Sequence, residues 1–149
     1  MNEKLETILS ENMILFQGQK LNCAETVLMT MAEYWGEESD WAPRIATAFG
    51  GGICGRQGFC GALSGGLMAT GLRLGRRQPG DDKAPANQAG KALIQWAEDN
   101  FASLECRALT GTDFSNPEES ARFRAPGGGH ETVCERLVAE VCRHLAATF

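Results

Sequence analysis

Residues 49–75 read FGGGICGRQGFCGALSGGLMATGLRLG, a glycine-rich loop bearing two cysteines that feeds into a helix opening at Cys60. A glycine-rich turn at a helix start presents free backbone N–H groups and the positive end of the helix dipole, which stabilise a thiolate or an inorganic cluster placed there. The competing reading makes Cys60 a small core residue and the glycines a device for close helix packing. If residues 60–75 are helical, Gly61, Gly65, Gly66 and Gly71 lie inside the helix, and at about 1 kcal/mol each relative to alanine they cost about 4 kcal/mol. Close approach of another helix, or of a cofactor, along the small-residue ridge of Gly61, Gly65 and Gly66 would offset that cost.

On the N-terminal side, Leu5, Ile8, Leu9, Met13 and Phe16 recur at helical spacing and predict a first helix ending near Gly18. Asn22 reads as the cap of a second helix, from Cys23 to about Trp35, with Ala24, Val27, Leu28 and Met31 on one face. Cys23 then sits in a first helical turn, where the dipole is expected to lower a thiol below its ordinary pKa of about 8.5. Residues 41–49 read as a short third helix with Pro43 in its first turn.

On the C-terminal side, a polar connector around Pro79 and Gly80 precedes a fifth helix marked by Ala89, Leu93, Trp96, Ala97, Phe101 and Leu104, with Cys106 just beyond its last turn. Residues 112–129 are polar and rich in Gly, Pro and Ser, which predicts a loop or flap holding one helical turn at 118–122. A last helix over about 131–147 carries Val133, Cys134, Leu137, Val138, Val141, Cys142 and Leu145 on its apolar side. No segment alternates with period two. The expected fold is an all-α, compact bundle of five or six helices forming a single domain over residues 1–149, with a Gly-rich, Cys-bearing loop and a polar loop before the last helix.

Charge excludes one class of partner. The 149 residues carry a net charge of -5, which argues against nucleic acid or an anionic membrane surface as a partner, because binding to phosphates needs clustered Lys and Arg. Arg73, Arg76 and Arg77 form only a short cluster, read as complementing a helix C-terminus. The acidic, amphipathic N-terminus does not resemble a secretory signal. The longest uncharged apolar stretch, Phe59 to Leu72, spans 14 residues, short of the roughly 20 that a membrane helix requires. The expectation is a cytoplasmic protein without membrane insertion, in which six cysteines serve as thiols, metal ligands or redox groups rather than structural disulfides.

Familiar signatures fall away. Gly50, Gly52 and Gly55 fit G-x-G-x-x-G, but no strand precedes them. Ser64 in ALSGG lacks the strand a nucleophile elbow requires and reads as a packing residue. His130 and His144 read as surface residues or dipole partners. The cysteines, at 23, 54, 60, 106, 134 and 142, contain no C-x-x-C pair, so any shared site must be assembled by the fold. Cys23, Cys60 and Cys106 fall at predicted helix termini, where backbone donors are free, and Cys134 joins them from the last helix. Cys142 lies about 12 Å further along that helix and reads as core. Cys54 is a candidate fifth thiol.

The segments LNCAETVL, FGGGICGRQGFCGALSGGLMATGLRLGR, CRALTGTDF and TVCERLV together resemble the small redox-active proteins named for their C_GCAxxG_C_C cysteine pattern, with a CGAxxG motif at its centre. The resemblance implies redox or metal chemistry, neighbourhood with transport genes, and occurrence beside haem domains in some cytochromes. Carried onto this chain, the characteristic cysteines are Cys23, Cys60, Cys106 and Cys134, with Cys54 and Cys142 outside the pattern. Gly51, Gly52, Gly58, Gly61 and Gly65 are expected to shape the site.

Three functions follow. In the first, the four cysteines hold a thiophilic metal centre, a [2Fe–2S] cluster ahead of Zn²⁺, for electron transfer or sensing. In the second, no cofactor is bound and a helix-terminal thiolate forms reversible disulfides, with Cys54 as a redox partner of Cys60. In the third, the cysteines are packing residues of a binding protein. The partner classes are an electron-transfer or transporter-associated protein, and a second copy of the chain meeting it along the glycine ridge.

Overall fold

The computed structural model describes residues 1–149. Eight α-helices follow one another: α1 (Glu3–Gln17), α2 (Cys23–Tyr34), α3 (Ala42–Ala46), α4 (Gly61–Leu74), α5 (Ala84–Asn100), α6 (Cys106–Thr110), α7 (Pro117–Arg124) and α8 (Arg136–Thr148). A 3₁₀ turn (Thr47–Phe49) extends α3, and a π-helical turn (His130–Glu135) leads into α8. The all-α expectation holds, and the only strand-like pairing is one antiparallel bridge between Phe59 and Glu105.

Local chemistry explains the element starts. The Asn22 side chain accepts from the Glu25 N–H at 2.9 Å while the Glu25 carboxylate accepts from the Asn22 N–H at 2.6 Å, closing a capping box at the head of α2. Asn116 caps α7 more simply, its side-chain oxygen accepting from the Glu118 and Glu119 N–H groups at 3.0 and 3.2 Å, with Pro117 at the first position. Two helices exceed the expected five or six. One is α6, because Cys106 opens a helix of its own instead of trailing the preceding one. The other is α7, because the stretch read as a flap buries Phe123 and so gains a reason to be helical for two turns.

The long helices α2, α4 and α8 run in the same direction. At the starting end, Gly61 of α4 lies against Cys23 of α2. At the finishing end, the Arg73 guanidinium lies 5.6 Å from the Trp35 ring centroid, and Trp35 meets Phe149 edge-on at 6.3 Å. Helix α1 returns antiparallel to α2, placing Asn2 on Tyr34 at 2.6 Å and Asn12 on Thr30 at 3.1 Å.

Glycines set the helix spacing. A Cβ on Gly65 would fall 2.6 Å from the Ala24 carbonyl oxygen, and one on Gly66 would meet Leu93 and Val141 at 3.0 Å. The small-residue ridge is therefore covered inside the chain by α2, α5 and α8, and it offers no surface to a second copy. Leu5, Leu9, Phe16, Val27, Leu28, Met31, Leu63, Leu93, Val138, Val141 and Leu145 fill the core between these helices, each contributing roughly 2 kcal/mol by burial. No helix is long and apolar enough to cross a membrane.

Candidate functional site: a four-thiol cavity

The starting ends of the helices converge on sulfur. Cys23 is the first residue of α2, Cys60 caps α4, Cys106 is the first residue of α6, and Cys134 lies in the π turn ahead of α8. All four line one cavity of about 20 Å³, room for about one water, whose remaining wall is Gly61, Ala62, Leu109, Thr110 and Leu137. A π turn inserts an extra residue into a helix and is often found where a side chain must be re-aimed for function, here that of Cys134.

The loop before α4 holds two of these cysteines by their backbones. Residues 51–55 all have positive φ, including Ile53 at 67° and Cys54 at 54°, and Gln57 follows at 61°. For a β-branched residue such as Ile53 that conformation is a strained outlier, of the kind that persists when its surroundings over-determine it. The left-handed run returns the chain so that the Cys60 N–H donates to the Leu104 carbonyl at 2.8 Å and the Cys106 N–H donates to Gly58 at 2.7 Å. Gly52 is required for that approach, since its Cβ would fall 2.7 Å from Cβ of Cys106. Gly61 is required for another, since its Cβ would fall 2.3 Å from Cys23 Sγ.

Gln57 locks the arrangement. Its buried side chain donates to the Thr112 carbonyl at 2.6 Å and accepts from the Phe114 N–H at 2.8 Å, tying the glycine loop to the segment after α6. Nothing in the sequence pattern singled it out, because a lone glutamine between glycines resembles ordinary loop.

Burial dominates the thiol chemistry. It pushes Cys60 up to about 11 and Cys106 up to about 12, and it raises Cys134 and Cys23 as well. The lowered Cys23 pKa expected from the dipole is thus corrected, because loss of hydration outweighs the N–H groups of Gly51 and Ala24 that favour its thiolate. The N–H groups of Leu63 and Ala62 act on Cys60 in the same sense without closing a full cap hydrogen bond. Mutual proximity adds to burial: a charge on Cys23 raises Cys60, Cys106 and Cys134, and each of the first three raises Cys134. The cavity favours four neutral thiols, and a charge on any one is felt by the others.

The remaining cysteines stand apart. All six are free thiols, with Cys142 fully buried in the core of α8 and Cys54 exposed on the loop, its N–H donating to the Ala48 carbonyl at 2.7 Å. Neither lines the cavity. His144 stacks on Trp96 with ring centroids 4.1 Å apart. His130, expected at the surface, instead stacks on Phe16 at 4.2 Å and meets Phe123 edge-on at 6.1 Å, because the turn after α7 folds inward.

Residues 21–148 match the family model described as "Putative redox-active protein (C_GCAxxG_C_C)". The chain belongs to that family. No curated protein matches the chain, and no solved structure does. Within the matched residues, Cys23, Cys60 and Cys106 stand at helix starts and Cys134 in the π turn, all around one space, and Gly61, which follows Cys60, leaves room for the Cys23 sulfur by its missing side chain.

The donor set can be tested against a metal. As the side chains stand, no three His, Cys, Asp or Glu are arranged to hold a metal ion, so a zinc ion and a cluster alike would require the cysteine side chains to turn toward a common centre. Four thiols match in kind and number the donor set of a [2Fe–2S] cluster, two cysteines to each iron with sulfide completing the coordination, and the space between them, which admits about one water, would have to widen to admit it. The backbone N–H groups beside Cys23 and Cys60, at the starts of α2 and α4, supply positive potential of the kind an anionic cluster needs.

Proposed function

We propose that this chain is a redox protein whose working site is the cavity between Cys23, Cys60, Cys106 and Cys134, and that these four cysteines hold an iron–sulfur cluster, of the [2Fe–2S] kind, for electron transfer or sensing. The observation that carries the reading is the convergence of three helix starts, at Cys23, Cys60 and Cys106, and of the π turn that bears Cys134 on one largely apolar space. Such a cluster would supply one-electron exchange at a potential tuned by burial and by hydrogen bonds to sulfur. The chain's own part is to exclude water with Leu109 and Leu137, to direct N–H groups at sulfur from Gly51 and Leu63, and to keep the left-handed loop in place through Gln57.

A cytoplasmic, reducing compartment would keep the thiols free for this role, and an electron-transfer or transporter-associated protein is the class of partner it would serve. The second reading, a metal-free dithiol protein, draws support from the mutual proximity of the four thiols. Cys54 contributes less to it, being exposed and outside the cavity.

Anaerobic purification followed by iron and sulfide analysis, with a visible absorption spectrum, separates the readings. The cluster reading expects matched iron and sulfide and visible charge-transfer bands, lost in Cys60→Ser and retained in Cys54→Ser. Colourless protein without metal, in which oxidation removes thiols in pairs among the four, would replace it with the dithiol reading.

A further inference from the structure

Beside the thiol cavity lies a second one, of about 400 Å³, within the size range of small-ligand sites. Three of the four cysteines, Cys23, Cys106 and Cys134, form its inner wall. The rest of its lining is partly aromatic: Phe114 lies 5.0 Å from Phe123, Phe123 meets His130 edge-on, and His130 stacks on Phe16, so the four rings make one continuous aromatic surface.

Its charge is cationic in a chain that is acidic overall. The one carboxylate on its lining, Glu25, is already engaged, accepting from the Asn22 N–H at 2.6 Å and the Thr47 hydroxyl at 2.7 Å. Two cations, Lys20 and Arg124, line the cavity without a carboxylate partner. The Arg124 guanidinium is positioned by Gln19, whose Oε1 accepts from Nη1 at 3.3 Å, and by the Phe114 ring, whose centroid is 5.9 Å away. A planar cation against an aromatic face is suited to a flat ligand bearing an anionic group.

We propose that this cavity is a binding site for a small planar anion, an aromatic carboxylate or its like, packed against the aromatic surface of Phe114, Phe123 and His130 with its acid on Arg124 and Lys20 and its ring edge against the thiols. The site depends on the fold around the cysteines and not on their being loaded, so it stands or falls separately from the cluster.

The test uses reduced, metal-free protein with 2-naphthoate as the probe and 2-naphthamide as its uncharged twin, followed by calorimetry and by alkylation of each cysteine read by mass spectrometry. Naphthoate should bind roughly tenfold more tightly than the amide, as a charge-assisted hydrogen bond predicts. Arg124→Gln should erase that preference, whereas Arg73→Gln, at the far end of α4, should keep it. Bound naphthoate should slow alkylation of Cys23 and Cys134 and leave that of Cys54 unchanged. No binding, equal binding of acid and amide, indifference to Arg124→Gln, or unprotected thiols would each overturn the proposal, and none of these outcomes bears on whether iron is bound.

Discussion

The two ends of the parallel helices α2, α4 and α8 are built on different principles. At the starting end the backbone turns left-handed for five residues, glycines admit sulfur and carbonyl oxygen to within van der Waals contact, and four thiols share a small space. At the finishing end, Trp35, Arg73 and Phe149 pack as ordinary amphipathic side chains do, and Gly71 faces open space. One helix, α4, contains both kinds of glycine. A glycine at a starting position is a geometric requirement, whereas one at the finishing end only weakens the helix.

The largest effect expected from this contrast belongs to Gly61→Ala. The added methyl would fall 2.3 Å from Cys23 Sγ and 3.0 Å from the Phe49 carbonyl oxygen, so sulfur and backbone must both shift. A loss of about 3 kcal/mol is expected, measured by denaturant unfolding and accompanied by faster alkylation of Cys23. Unchanged stability would break the comparison at its strongest point.

Gly65→Ala comes next. Its methyl would meet the Ala24 carbonyl oxygen at 2.6 Å, and because that atom is backbone, α2 and α4 must separate, at about 2 kcal/mol. Gly71→Ala reverses the sign. With nothing within 4 Å and no left-handed backbone to strain, it should stabilise the protein by up to about 1 kcal/mol, seen as a rise in Tm.

The smallest effect concerns pH. Burial holds the pKa of His144, towards the finishing end of α8, below its ordinary 6.5, so the unfolded chain takes up its proton first. The resulting stability is present above about pH 6.5 and is lost as pH falls through the lower, folded value. His144→Gln should flatten the acid side of a stability-against-pH curve.

Much of this architecture was legible in the residues. Asn22 announced a cap, the apolar periods of α1, α2 and α8 announced their buried faces, and the glycine ridge of α4 announced close packing, because these signals are local and periodic. Other features were not legible, for identifiable reasons. The π turn at His130–Glu135 has no sequence period of its own, so Cys134 read as part of a regular helix. Phe114, Phe123 and His130 lie in a stretch whose composition says loop, and only the fold reveals that they turn inward together. The direction of the thiol shifts depends on how much water each sulfur keeps, a tertiary quantity that outweighs the local dipole at Cys23. Asn116 followed by Pro117 and two glutamates did carry a helix-start signal, which the polarity of the surrounding stretch masked.

The central claim is that four distant cysteines act as one site and the other two do not. It is tested most directly by alkylating each cysteine, with identification by mass spectrometry, before and after anaerobic reconstitution with iron and sulfide. The account predicts that Cys23, Cys60, Cys106 and Cys134 become protected together, that Cys54 reacts fully in both states, and that Cys142 reacts in neither until the protein is unfolded. Protection confined to some of the four, or extending to Cys54, would contradict it.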